Sequence, residues 1–252
     1  MLDAILWGLI QGLTEFLPIS SSGHLVLVPA LLNREGPDLA TAAMLHLGTL
    51  AAVLVYYRSD IAEMAKFDHM ARKKITLIVI GSVPAVILGF AFKDTIEELI
   101  SDPRAVAIML IVTGIILLGT MLLRVGDRTF KEMGPLDAIL VGLAQSMALI
   151  PGISRSGMTI TSGLLRGLSR TESARFAFLL GIPVIAGAGL LEMADALTSD
   201  VSIPSTVWIA VVVAGISGYA AIALLLRVLT RIGLAPFGIY CVVAGSVAFI
   251  IL

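Results

Sequence analysis

Two short stretches of this sequence concentrate residues that can do chemistry. The first runs Gln11-Gly12-Leu13-Thr14-Glu15-Phe16-Leu17-Pro18-Ile19-Ser20-Ser21-Ser22-Gly23-His24, and the second Pro151-Gly152-Ile153-Ser154-Arg155-Ser156-Gly157-Met158-Thr159. A carboxylate, a run of hydroxyls, an imidazole and a guanidinium together suit a phosphate group. Arg155 can grip phosphoryl oxygens with a two-pronged fork. Gly23, Gly152 and Gly157 let backbone N–H groups approach an anion, and a helix beginning after each turn aims its positive end at it. Gln11 lies four residues before Glu15, which puts both on one helix face. Glu15 can there hold a divalent cation with Gln11 as a carbonyl ligand, since a hard metal such as Mg2+ or Ca2+ prefers oxygen. Ser21 or a neighbouring serine can act as nucleophile, with His24 as its base and later its acid. Ser21, His24 and a water held by the metal all stay open as the attacking group. Ser20, Ser22, Ser154, Ser156 and Thr159 complete the hydroxyls expected around a substrate. The set reads as phosphoryl transfer or hydrolysis rather than transport alone.

These residues need elements to hold them, and composition says what kind. The chain has 252 residues, of which 58% are hydrophobic and 14% charged, with a mean hydropathy of +1.02. A soluble domain carries about 25% charged residues, so this chain lacks the polar surface to cover a globule in water. An integral membrane protein is expected, as one domain over 1–252. Disorder and a disulfide scaffold are disfavoured, Cys241 being a single cysteine. A net charge of −1 gives no general attraction to polyanions, so no nucleic-acid partner is expected. The start Met1-Leu2-Asp3 has no basic region, which argues against a cleaved signal peptide.

A helix needs about 20 mostly apolar residues to cross a bilayer. Six stretches free of Asp, Glu, Lys and Arg qualify: Leu39–Tyr57, Ile75–Phe92, Ala105–Leu123, Phe176–Leu191, Val201–Leu226 and Ile232–Leu252. The fourth is short and extends past Glu192 towards Ala196. None alternates with period two, which favours helices over a barrel. Two further apolar regions, Ala4–Leu32 and Ala138–Leu165, are broken by the polar clusters above. Irregular polar backbone at membrane depth survives only when packed in protein or lining a wet cavity, so both read as re-entrant helical hairpins.

The two hairpins are related. A shift of 134 positions aligns Asp3-Ala4-Ile5-Leu6 with Asp137-Ala138-Ile139-Leu140, Gly8, Leu9 and Gln11 with Gly142, Leu143 and Gln145, and Ile19, Ser20, Ser22 and Gly23 with Ile153, Ser154, Ser156 and Gly157. Repeat one covers about 1–124 and repeat two about 135–252. Each holds one hairpin and three spans, an odd number, so the second copy is inverted relative to the first. Such repeats place sites near the midplane where broken elements meet. Thirteen basic residues, Arg58 and Arg72 among them, fall on one side, against Arg34, Lys93 and Arg104 on the other. That bias puts both termini outside, with hairpin one open outward and hairpin two inward.

An ionisable group inside the membrane costs roughly 2.5–3.5 kcal/mol on insertion scales, so it points to function. A glutamate in a broken helix can merely cap backbone N–H groups, a serine-rich turn beside proline is commonly structural, and a membrane histidine can sit in a satisfied polar network. Glu15, His24 and Arg155 together, in two related hairpins, are harder to explain that way. Other candidates are weaker. His46 faces either a cavity or its packing neighbours, His69 lies in a basic loop, and Glu97, Glu98 and Asp102 read as surface charges. The basic loops are accounted for by topology and anionic headgroups.

The two motifs resemble those of the undecaprenyl-diphosphatase family, also called the bacitracin-resistance protein family, and the resemblance spans essentially the whole chain. It implies removal of the terminal phosphate from C55 isoprenyl diphosphate, a lipid carrier recycled for cell-wall synthesis, at a site open to the outer face of the cell membrane. It also implies a divalent metal and resistance to bacitracin. In that resemblance Glu15 matches the essential carboxylate, Ser21 the proposed nucleophile or phosphate contact, His24 the motif histidine and Arg155 the essential arginine. Gln11 departs from the glutamate of many members and removes one anionic metal ligand. The expected partners are the lipid diphosphate and the bilayer, with a homodimer open. A transporter or flippase of a polyprenyl phosphate or small anion is the alternative suggested by the repeat, and a scaffold protein is a third class that the buried charges oppose.

Overall fold

The computed structural model describes residues 1–92, 95, 99, 101–198 and 205–252. The expected surface charges Lys93, Glu97 and Glu98, and the first residues of the Val201–Leu226 span, lie outside the described residues. The architecture is all-helical. Among the described residues the one extended pairing is an isolated bridge between Arg128 and Leu168.

The helices are α1 (Leu2–Phe16), α2 (Ser21–Leu32), α3 (Leu39–Tyr56), α4 (Arg58–Met64), α5 (His69–Ala91), α6 (Pro103–Gly119), α7 (Pro135–Met147), α8 (Arg155–Leu165), α9 (Arg170–Thr198), α10 (Val207–Ile232) and α11 (Ala235–Ile251). Aspartates start three of them. Asp38, Asp68 and Asp102 accept from the N–H groups of Thr41, Ala71 and Arg104 at 2.7, 2.8 and 2.9 Å, satisfying donors that a helix start leaves free. Segments His69–Ala91, Pro103–Leu122, Arg170–Leu191 and Val207–Ile232 are long and apolar enough to cross a membrane. Their outward residues are apolar too: Val79, Val83, Ile87 and Phe90 on α5, and Trp208, Val212 and Ile216 on α10, are exposed. A surface of that kind is stable against lipid and not against water.

Helix lengths depart from the charge-free stretches. α5 and α9 begin in charged sequence, at His69 and Arg170, because a helix start can sit in the headgroup region. α11 has 17 residues, about 26 Å at 1.5 Å per residue, against a hydrocarbon core of about 30 Å. α3 is likewise among the shorter apolar helices.

Both broken regions are helix, turn, helix. α1 stops where Leu17 becomes extended ahead of Pro18, as a residue before proline prefers. α7 stops ahead of Pro151-Gly152, and Gly152 has φ 94, a conformation glycine adopts without strain. The two halves interlock. α1 packs on α10, α7 on α5, and α6 on α11, so the first helix of each half lies against a helix of the other. The contacts are close because glycines line them: a Cβ at Gly142 would lie 2.3 Å from the carbonyl oxygen of Gly81. Phe16, Phe176 and Phe178 are fully buried at the centre, with Phe16 and Phe178 edge to face at 5.6 Å.

Charges expected to be loose loop cations are partly built into this scaffold. Arg128 and Arg166 both bind Asp137, at 2.8 and 2.7 Å, and so tie the loop ends of α7 and α8 together. The matching pair in the first half is Arg34 with Asp3, at 3.0 Å. Asp60 is buried against Arg175 and Lys74, and Lys74 also binds Glu63 at 2.9 Å.

Candidate active site

The starts of α2 and α8 meet. Ser20 caps α2, its Oγ accepting from the N–H of Gly23 at 3.2 Å, and Ser154 caps α8, its Oγ accepting from the N–H of Gly157 at 3.1 Å. The turns are stitched across the chain. Ser156 Oγ donates to the carbonyl of Leu17 at 3.2 Å, and Ser20 Oγ to that of Ile153 at 3.4 Å. The equivalent carbonyls of Pro18 and Gly152 accept from Cys241 Sγ at 3.6 Å and Thr113 Oγ1 at 2.9 Å, so α11 and α6 each pin one turn. Ser20 has φ 68, a left-handed conformation that costs a non-glycine residue about 1–3 kcal/mol and persists only where its surroundings hold it.

Beside this junction is a cavity of about 160 Å3. Glu15, Ser20, Ser21, Ser22, Ser154 and Arg155 line it, with Thr14, His46 and Gln145. Glu15 is the hub. Its Oε2 accepts from Ser21 Oγ at 2.6 Å and from Gln11 Nε2 at 3.0 Å, and its Oε1 accepts from Arg155 Nη2 at 3.0 Å. Glu15 is 7% exposed, and a buried charge is tolerable only with such pairing. Ser21 and Arg155 are the first residues of α2 and α8, so two positive helix ends open on the cavity.

The remaining expected residues lie elsewhere. Gln11 is fully buried behind Glu15, away from the cavity lining. Gly23, Gly152, Ser156, Gly157 and Thr159 do not line the cavity either. The N–H groups of Gly23 and Gly157 are engaged by the cap serines, and Thr159 Oγ1 donates to the carbonyl of Arg155 at 2.8 Å. These residues shape the turns that carry the lining ones.

His24 is one helical turn beyond Ser21 and turned towards α11. Its Nδ1 meets the carbonyl of Ser20 at 2.8 Å and its Nε2 the hydroxyl of Tyr240 at 2.7 Å, with the two rings stacked at 5.7 Å. The expected Ser21–His24 pair is therefore not joined by a hydrogen bond here, and the oxygen that receives the Ser21 hydroxyl belongs to Glu15. The sequence pattern orders residues along α2, while the facing of His24 depends on a helix more than 200 residues later.

Several lining or positioning residues escaped the motif reading. Gln145 is one, visible beforehand only as the repeat partner of Gln11. Tyr240 has no local signal at all. Gly181 on α9 is a third: a Cβ there would lie 1.9 Å from Arg155 Nη1, so any larger residue would displace the guanidinium from this position. His46, weak from sequence alone, lines the cavity, and its Nδ1 meets the carbonyl of Ala42 at 3.0 Å.

Comparison with known proteins gives one consistent result. A family model described as "Bacitracin resistance protein BacA" matches residues 4–247. A protein of Halothermothrix orenii named undecaprenyl-diphosphatase is 42% identical over 251 residues, 98% of this chain and 96% of its own. One of the same name from a Nocardioides species is 42% identical over 264 residues, with 99% and 96% covered. Another from Methanosphaera stadtmanae is 39% identical over 271 residues, with 100% and 98% covered.

Proposed function

The chain belongs to the bacitracin resistance protein BacA family, and on that premise we propose that it hydrolyses undecaprenyl diphosphate to undecaprenyl phosphate and inorganic phosphate. The observation that carries this reading is the Glu15 hub, where a hydroxyl and a guanidinium from two helix starts meet one carboxylate at a cavity. Arg155 grips the phosphoryl oxygens of the diphosphate. Ser21 Oγ attacks the terminal phosphorus and its proton passes to Glu15 Oε2. The bond from that phosphorus to the bridging oxygen breaks, and the lipid monophosphate leaves. Water then cleaves the phosphoserine ester and restores the hydroxyl. In this reading Glu15 receives the proton, and His24, held by Tyr240, orients the start of α2.

A divalent metal, Mg2+ or Ca2+, is part of the proposal. The lining offers one carboxylate, Glu15, with Gln11 Oε1 buried and unbonded behind it. Among the described residues no three His, Cys, Asp or Glu side chains gather into a metal cluster. With one carboxylate, itself accepting from Ser21, Gln11 and Arg155, the protein would supply few of the ligands, and a bound hard cation would take most of them from substrate phosphoryl oxygens and water, as Mg2+ often does. When bound it would offset phosphoryl charge beside Arg155.

The finer architecture is proposed as six membrane-crossing helices (α3, α5, α6, α9, α10 and α11) and two re-entrant hairpins (α1–α2 and α7–α8). The halves are related by inverted topology in the cell membrane, with the cavity open to the outer face. The charge bias and the serine caps recurring 134 residues apart support it. A homodimer is tested by particle mass in detergent.

The test is phosphate release from C55 diphosphate by the purified protein in detergent, with EDTA as control. Release that stops with EDTA and returns with Mg2+ or Ca2+ is expected. Lipid movement across vesicles with no phosphate released would replace the hydrolase by the transporter reading.

A further inference from the structure

One buried polar side chain in the cavity has no role in the scheme above. Gln145, on α7, is 2% exposed and lines the same cavity as Glu15, Ser21 and Arg155. Both of its amide atoms, Oε1 and Nε2, are buried without a hydrogen-bond partner. An amide buried without a partner is costly, and an apolar side chain of similar size would be cheaper there. A polar group kept under those conditions points to a ligand that satisfies it.

The repeat explains how it became unbonded. Gln11 is its equivalent in the first hairpin, and Gln11 Nε2 is satisfied by Glu15, four residues on, at 3.0 Å. Four residues after Gln145 the second hairpin has Leu149 instead. The intrahelical acceptor is gone, and the amide is left in the cavity wall. A second donor there is in the same state: Arg155 Nη2 is taken by Glu15, while Nη1 is buried with no partner. Gly181 keeps open the space in which that Nη1 lies. Two residues with unspent donors, one cationic and one neutral, thus line one small cavity.

We propose that Gln145 is a substrate-binding residue, its Nε2 donating to a phosphoryl oxygen of the diphosphate that Arg155 Nη1 also holds. The inference rests on the reading of this cavity as a diphosphate site. It adds a contact from α7, outside both motifs, so that three helix segments grip the anion.

Two measurements on the full-length protein in detergent test it: kcat/KM for C55 diphosphate, and binding of inorganic pyrophosphate by calorimetry. Gln145→Leu keeps the size and removes the donor. It is expected to lower both kcat/KM and pyrophosphate affinity roughly 10- to 100-fold, the worth of a hydrogen bond to a charged group. The unfolding temperature should hold or rise, because an unsatisfied amide has been removed; a purely structural glutamine would lower it. Gln145→Glu should lose more, from repulsion between like charges. Gln145→Met serves with the same expectation if the leucine variant does not fold. Affinity and kcat/KM within twofold of wild type in a folded variant overturn the proposal while leaving the hydrolase reading intact. Gln145-dependent pyrophosphate binding by a wild type that releases no phosphate keeps the proposal and removes the hydrolase reading. A wild type that neither binds pyrophosphate nor releases phosphate removes both.

Discussion

Ser21 and Arg155 stand 134 residues apart at equivalent positions of the two hairpins, and they bind opposite oxygens of the same carboxylate. Ser21 Oγ donates to Glu15 Oε2 at 2.6 Å and Arg155 Nη2 to Glu15 Oε1 at 3.0 Å. The site is thus asymmetric although its frame is repeated. One copy supplies carboxylate and hydroxyl, the other guanidinium, and Leu149 stands where a second carboxylate would be.

The Glu15–Arg155 pair should be indispensable for activity. Glu15→Ala and Arg155→Ala are each expected to lower phosphate release by at least about 100-fold, as loss of a preorganised charge contact does. Each also leaves a buried charge alone, which typically costs about 3–5 kcal/mol of stability. Unfolding should therefore be followed alongside phosphate release, and near-normal activity in either purified variant would sink the site assignment.

Ser21 as nucleophile makes a covalent prediction. Acid quench during turnover of C55 diphosphate labelled in its terminal phosphate should trap label on the wild-type protein. Ser21→Ala should trap none, and His24→Ala should still trap some, because the Ser21 hydroxyl donates to Glu15 and His24 is bonded to Tyr240. Label that persists in Ser21→Ala and vanishes in His24→Ala would transfer the role to the imidazole.

Gly181→Ala tests how Arg155 is placed. The added methyl would meet Nη1 at 1.9 Å, and the end of a flexible side chain is what must move. Helix propensity favours alanine by roughly 0.8–1 kcal/mol. The expected result is a fall in kcat/KM of about 10-fold or more, in the range that misplacement of a catalytic group produces, with little loss of unfolding temperature. Unchanged kinetics would show that Arg155 acts from another position.

Asp137 sits at the loop end of α7, outside the four long apolar helices. Burial pushes its carboxyl up, but hydrogen bonds from Arg128, from the N–H of Gly134 and from Arg166 outweigh that and hold it at about 2. A lowered value means stability that is complete above the unfolded range near pH 4 and lost as pH falls through about 2. Asp137→Asn should destabilise at pH 7, and the gap to wild type should narrow as pH drops from 5 to 3. A gap independent of pH would mean that the charge is not what ties α7 to α8.

Much of the frame was legible because hydropathy is a local property. A run without charge is apolar wherever it packs, so the stretches became helices, with boundaries shifted where α5 and α9 begin at His69 and Arg170. The two turns were legible for the same kind of reason, since Pro18, Pro151 and the serine caps act on their own neighbours. Glu15, Ser21 and Arg155 could be picked out because an ionisable or hydroxyl cluster in an apolar run is costly.

What the sequence by itself determined was the apolar helical class, the two similar polar turns and the residue types that line the cavity. Which candidates share that cavity was decided only by the tertiary structure. Ser21 and His24 are three residues apart, yet one binds Glu15 and the other Tyr240. Gln145 and Gln11 are repeat partners, yet one lines the cavity and the other is buried behind it. The physical reason is that a hydrogen bond depends on distance in space. Here the decisive distances run between helices that are 140 residues apart for Glu15 and Arg155 and 216 for His24 and Tyr240.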